Sequence, residues 1–214
     1  RVDTGWIWWV LNVRKKKEKH VVKDGSEPDF AGDAWVYTSI KRGTYFLIAY
    51  AVGKHTQETC DRMMDQLYER IALPYPDEKL VIYSDGNNQY EEALNDRYAS
   101  PCVNYGQSIK IRKQGKVIEK LKRIVIGSPD LSEIETTDIE NSNGIFRERI
   151  GRLVRKTKCF SKLKCRLEAA VAVFQFYWNF MKEMDGKSTP GMVEGIIDRR
   201  ITWSVFFHTV IKYD

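Results

Sequence analysis

An α/β domain built on a mixed sheet flanked by helices is the fold class this sequence predicts, and three observations predict it. Trp6 to Val13 is apolar on both faces and rich in aromatic and β-branched residues, as a central strand covered on both sides requires. Two strand-like runs, Asp33–Ile40 and Thr44–Val52, flank Lys41-Arg42-Gly43, whose glycine marks a hairpin. Leu80–Tyr83 reads as a short buried strand that ends at Ser84-Asp85-Gly86 and leads into a helical stretch, Gln89–Tyr98, giving the strand-turn-helix order of a sheet covered by helices.

The remaining elements follow in order. After the first strand, the charge run Arg14–Lys19 and the polar stretch to Gly32 read as a loop or exposed ribbon. Thr56 opens a helix whose apolar positions Met63, Met64, Leu67 and Ile71 recur at helical spacing, and Pro74 and Pro76 close it. Val103–Arg112 and Lys116–Ile126 alternate around Gln114-Gly115, so a basic strand or ribbon insertion is expected at about 103–130. From Ile139 onward, Phe146, Ile150, Leu153 and Val154 share one helical face, while Glu140, Asn143 and Arg147 share another. Leu167, Ala170, Val171, Phe174, Tyr177 or Trp178, and Met181 mark a second amphipathic helix. Ser188-Thr189-Pro190 is a helix-start signature, predicting a small helical tail from Pro190–Ile197 and Trp203–Phe207. The expected organisation is one domain over 1–184 and a tail over 185–214. Because the chain starts at Arg1 and a strand signal follows at once, an upstream domain is expected to be missing.

Bulk properties narrow the function classes. Apolar residues at 43% and charged residues at 30% fit a globular fold with its own core, with no long disordered segment. The 35 Lys and Arg against 29 Asp and Glu leave +6, which favours polyanionic partners. Cys60, Cys102, Cys159 and Cys165 form no C-x-x-C pair, which argues against zinc and for reduced thiols in a cytosol. No apolar run is long enough for a membrane helix, so no membrane partner is expected. His20, His55 and His208 have no nucleophile and orienting acid at recognisable spacing, and there is no glycine-rich phosphate loop. Trp6, Trp8 and Trp9 lie in a wholly apolar run and read as core.

Three carboxylates remain as candidate chemistry: Asp3 on the first strand, Asp85 at the tip of a later strand, and Glu140 near a helix start. Singly, each has an ordinary reading, as a turn residue, a helix-dipole partner or a strand flank. Jointly, oxygen ligands from distant segments suit Mg²⁺, which binds through one or two carboxylates plus phosphate and water. Two such ions serve in-line displacement at phosphorus. The basic segment Arg147, Arg149, Arg152, Arg155, Lys156, Lys158 and Lys162 lies beside Glu140 in the chain and would neutralise backbone phosphates. Lys15, Lys16, Lys17, Lys19 and the ribbon from Lys110 to Arg123 could extend that track.

These residues carry a resemblance. Ile139-Glu140-Asn141-Ser142-Asn143, followed by the arginine-rich run from Arg147 to Phe160-Ser161-Lys162, resembles the catalytic-glutamate block of the insertion-sequence-one family of bacterial and archaeal transposases. That family belongs to the wider DDE transposase and retroviral-integrase superfamily. Ser84-Asp85-Gly86 with Tyr90 is similar to its second catalytic aspartate, Val2-Asp3 with Trp6 to its first, and Thr189-Pro190-Gly191-Met192 with Gly195 and Trp203-Ser204 to its tail. The resemblance implies a ribonuclease-H-like fold with a mixed five-stranded sheet, three antiparallel strands then two parallel. It implies a transposase that cuts transposon ends and joins them to target DNA. Asp3, Asp85 and Glu140 would hold two Mg²⁺ ions, for which Mn²⁺ could substitute, with Asn143 in support. DNA and a homo-dimer or higher assembly would be the partners, and the nucleoid region of a prokaryotic cytoplasm the location. A domesticated, non-catalytic DNA-binding protein and a structure-selective nuclease of the same fold are the alternatives. Asp33 also precedes a Trp-containing strand, but as first ligand it would leave only Thr44–Val52 before the helix at Thr56, where the plan needs two strands.

Overall fold

The computed structural model describes residues 2–7, 34–114, 116–154, 161, 163–184 and 186–210, and only the backbone of residues 2–7, 112 and 210. Asp33, Trp8, Trp9, the lysines at 15–19, and Arg155, Lys156, Lys158 and Lys162 lie outside the described residues.

Six strands form one mixed sheet: β1 (Val2–Ile7), β2 (Trp35–Lys41), β3 (Leu47–Gly53), β4 (Leu80–Asp85), β5 (Val103–Lys113) and β6 (Lys116–Ile126), in the spatial order β3-β2-β1-β4-β5-β6. β1, β2 and β3 are antiparallel, β4 runs parallel to β1, β5 parallel to β4, and β6 returns antiparallel along β5. The five-stranded expectation is therefore corrected to six. β6 extends the sheet through a ladder from Tyr105↔Ile126 to Lys113↔Lys116, because an eleven-residue hairpin arm satisfies its backbone groups only against a neighbour.

Helices cover both faces. α1 (Gln57–Arg70) starts after Thr56 and buries Cys60, Met63, Met64 and Leu67. With α2 (Gln89–Arg97) it covers Tyr37, Ala49, Ala51, Ile82 and Tyr105 on one face. α3 (Thr137–Arg149) and α4 (Lys164–Phe180) cover Val36, Ile40, Leu47 and Val52 on the other, through Ile139, Phe146, Val171, Phe174 and Trp178. The period-two alternation of β2 assigns its residues to these two cores.

Several boundaries differ from the sequence expectation, each for a local reason. β3 begins at Leu47, not Thr44, because Gly43 (φ 83°) and Tyr45 (φ 57°) take left-handed backbone and the turn closes with Tyr45 N–H donating to Lys41 O at 2.9 Å. α3 ends at Arg149; Ile150 turns to extended backbone and Gly151–Leu153 forms a single 3₁₀ turn, so Ile150 and Leu153 reach the core from outside the helix. The tail helix α5 (Pro190–Val193) stops well short of Ile197, although Thr189 caps it as expected, its Oγ1 accepting from Met192 N–H at 3.2 Å. α6 (Trp203–Val210) completes the described chain.

β3 is the sheet's edge on one side, and side chains occupy several of its outward backbone groups. Asn179 accepts from Leu47 N–H and donates to Leu47 O, both at 2.9 Å, and Gln175 donates to Leu47 O and Ile48 O. Arg70 donates to Ile48 O at 2.6 Å and Arg62 to Val52 O at 2.6 Å. These bonds from α4 and α1 replace a missing strand.

Gly127 ends β6 at φ +68°, and a Cβ there would sit 2.6 Å from Val103 O and 2.3 Å from Asn104 Oδ1. Gly127→Ala combines left-handed strain with a backbone clash. A loss of about 2 kcal/mol is expected, read as a lower midpoint in denaturant titration.

Candidate functional site

Asp85 is the last residue of β4, and Gly86 turns the chain toward α2. Its carboxylate oxygen Oδ1 accepts from Asn87 N–H at 3.3 Å. Asn87 is itself held from several sides. Its Oδ1 accepts from Gln89 N–H at 3.1 Å, and its Nδ2 donates to Gln89 Oε1, which also accepts from Tyr37 OH at 2.6 Å. Gln107 Nε2 donates to Asn87 O at 3.2 Å and to Tyr105 OH at 2.9 Å. The turn that presents Asp85 is thus fixed by polar groups from β2, β5 and its own loop. The one local signal of this network in the sequence is the turn-forming pair Asn87-Asn88 after Gly86.

Glu140 lies in the first turns of α3, which packs against β1. It accepts from Thr136 Oγ1 at 2.6 Å and from Lys110 Nζ, which arrives from β5. Burial works against its charge, but the Lys110 and Thr136 hydrogen bonds and the fields of Lys110 and Lys120 outweigh it and hold the carboxyl below its ordinary range. Asp85 shows the opposite balance. Burial pushes it up to about 8, with the negative field of Glu140 adding to the rise, while the Asn87 N–H bond and the nearby Lys110 pull the other way. Asp85, Glu140 and Lys110 therefore form one electrostatic cluster drawn from β4, α3 and β5.

The backbone of β1 puts Asp3 opposite Tyr83 of β4 and opposite Ile40 of β2. Asp3 is thereby beside the strand that ends in Asp85, two positions before it. Among the described residues, no group of three or more His, Cys, Asp or Glu side chains could hold a metal ion. Asp85 and Glu140 are linked there through the field of Glu140 on Asp85 and through Lys110, which bonds Glu140 and lowers Asp85.

Asn143 departs from the expected arrangement. Its spacing places it with Glu140 and Arg147 on a polar face, but it is buried on the side that carries Ile139, Ser142 and Phe146. Positions i, i+3, i+4 and i+7 from Ile139 define that packed face, and Asn143 is one of them. Of the basic residues, Arg147 is half-buried, Arg149 exposed, and Arg152 donates to Ser161 Oγ at 3.2 Å. No helix among the described residues is long and apolar enough to cross a membrane.

The fold and site together define a mixed α/β domain with a carboxylate pair where a central strand meets a helix. Compared with models of protein families and with curated proteins, the chain matches none.

Proposed function

We propose that this chain is the catalytic domain of a DNA transposase, a ribonuclease-H-like DDE polynucleotidyl transferase using Asp3, Asp85 and Glu140. The observation that carries the reading is the electrostatic pairing of Asp85 and Glu140, two acidic side chains remote in sequence. Strand order supports it: with β6 set aside, three antiparallel strands are followed by two parallel ones, the arrangement expected of such a sheet. The register of Asp3 beside β4 supports its choice as third ligand.

The donor set fits a hard divalent cation. Burial raises Asp85 and the negative field of Glu140 adds to the rise; a divalent cation bound there would offset both penalties. Bound Mg²⁺ supplies Lewis-acid polarisation at phosphorus and activation of the attacking oxygen. The protein's own groups do the rest. The Asn87 turn keeps Asp85 in one orientation, Thr136 and Lys110 keep Glu140 ionised, and Arg147, Arg149 and Arg152 with the basic run after them neutralise backbone phosphates. Water would attack a phosphodiester at the element's end, leaving a 5′-phosphate while the 3′-oxygen departs and takes up a proton as a hydroxyl; that hydroxyl would then lose its proton in attacking a target phosphodiester, whose own 3′-oxygen leaves as a hydroxyl. The partners implied are transposon ends, target DNA and further copies of the chain, in a prokaryotic cytoplasm.

The test compares wild type with Glu140→Gln on labelled duplexes whose ends are taken from the DNA flanking the encoding gene. Wild type is expected to cleave and join them with Mg²⁺ or Mn²⁺, and the variant to do neither. Cleavage without joining would point to a structure-selective nuclease; binding without products from either protein would point to a non-catalytic DNA-binding domain.

A further inference from the structure

The β5–β6 ribbon concentrates the chain's charge. Between Lys110 and Ile126 there are seven basic residues and one acidic residue, Glu119. The rest of the chain carries equal numbers of basic and acidic residues, so the whole surplus of +6 resides on this hairpin.

Register then sorts the ribbon's side chains. Asp85 pairs with Ser108 across β4 and β5, Ser108 with Lys122 across β5 and β6, and Lys110 with Lys120. Directly opposed residues point to the same side of a sheet, and so do residues two apart along a strand. Lys110, Lys120 and Lys122 therefore stand on the face that carries Asp85, and Lys110 reaches Glu140. Leu121, opposed to Ile109, and Ile111 point to the other face, where both stay partly exposed. The cations form a strip that starts at the carboxylate pair and continues outward, with Lys120 and Lys122 about 7 Å apart along the strand.

We infer that the Lys110, Lys120 and Lys122 face of the β5–β6 ribbon is a polynucleotide-backbone binding strip that guides a phosphodiester strand onto the Asp85–Glu140 pair. The inference deepens the proposed function and rests on it for the choice of a polynucleotide. Charge complementarity supports that occupant over a second copy of the chain, whose identical ribbon would repel. In the absence of a strand, Lys110 pairs with Glu140; a phosphate beside it would share that ammonium.

The experiment measures binding of the full chain to a fluorescein-labelled DNA duplex of arbitrary sequence by anisotropy, in EDTA, across a salt series. Metal-free binding isolates the strip from any chemistry. Lys120→Ala with Lys122→Ala is compared with Lys79→Ala with Lys187→Ala, which removes the same charge from exposed sites elsewhere. The ribbon variant is expected to bind roughly tenfold more weakly at about 0.1 M salt and to lose about 2 from the slope of log K against log salt. Lys120→Arg with Lys122→Arg is expected to restore both, and thermal melts confirm that each variant is folded. Equal affinity and slope for the two alanine pairs would overturn the inference. So would vesicles containing phosphatidylserine binding through the ribbon while DNA binding is unchanged. A ribbon-dependent loss of DNA binding with no cleavage or joining by wild type would sustain the strip and remove the transposase; cleavage and joining with equal binding would do the reverse.

Discussion

Asp85→Asn is expected to lower metal-dependent DNA cleavage roughly 10³-fold or more while making the protein more stable, two effects of opposite sign from one substitution. The activity loss would follow from removing one of the three carboxylates proposed to hold the metal ions. The stability gain follows from linkage. The carboxyl of Asp85 rises from an ordinary 3.8 to about 8 on folding, burial being the main cause, so the folded state holds the proton more tightly than the unfolded one. Stability contributed by that retained proton is complete below about pH 4 and declines as pH rises toward about 8. Above that, wild type keeps a buried charge that asparagine lacks, while the asparagine oxygen still accepts from Asn87 N–H. The gain should be on the order of 2 kcal/mol, less than the full shift because the carboxyl retains some solvent contact. That corresponds to roughly 4–8 °C in a domain of this size. Calorimetric melts at about pH 5, 7 and 8.5 check it: the difference between variant and wild type should grow with pH and shrink when excess Mg²⁺ is added. A difference independent of both would mean that Asp85 does not titrate as a buried carboxyl and binds no cation.

Asn179→Ala is expected to cost about 3 kcal/mol, roughly 6–12 °C in melting temperature. The side chain is almost fully buried and bonds both backbone groups of Leu47. Truncation leaves the Leu47 N–H without that acceptor and opens a small void, while Leu47 O keeps its bond from Gln175. Hydrogen exchange distinguishes this from general loosening: the Leu47 amide should exchange faster in the variant well before amides in the α1 core. If that amide stayed as protected as in wild type, the edge would not depend on Asn179.

The sequence made the elements legible where periodicity is strong and little competes with it. The apolar spacing of Met63, Met64 and Leu67 marks α1, and the alternation on either side of Gln114-Gly115 delimits β6 at Lys116–Ile126. It failed where backbone geometry overrides pattern. Nothing in the apolar run from Thr44 announces the left-handed Tyr45 that delays β3, and the stripe through Ile150 and Leu153 hides a helix that has already ended. In the site, Asp85 and Glu140 could be singled out by residue type and position in the element plan. The Lys110–Glu140 pair could not, because it depends on strand register and on how α3 lies over the sheet, both set by tertiary packing. Asn143 shows the same limit: a polar residue at a core position of a 3.6-residue period reads as part of a polar face until its neighbours are placed.

The sealing of β3 by amides and guanidinium groups gives the sheet two unlike borders. Among the described residues, β6 forms the opposite border. Lysines along that border act as gatekeepers against β-mediated assembly. Strand addition is therefore opposed at both borders by different means: amides and guanidinium groups on β3, and charge on β6.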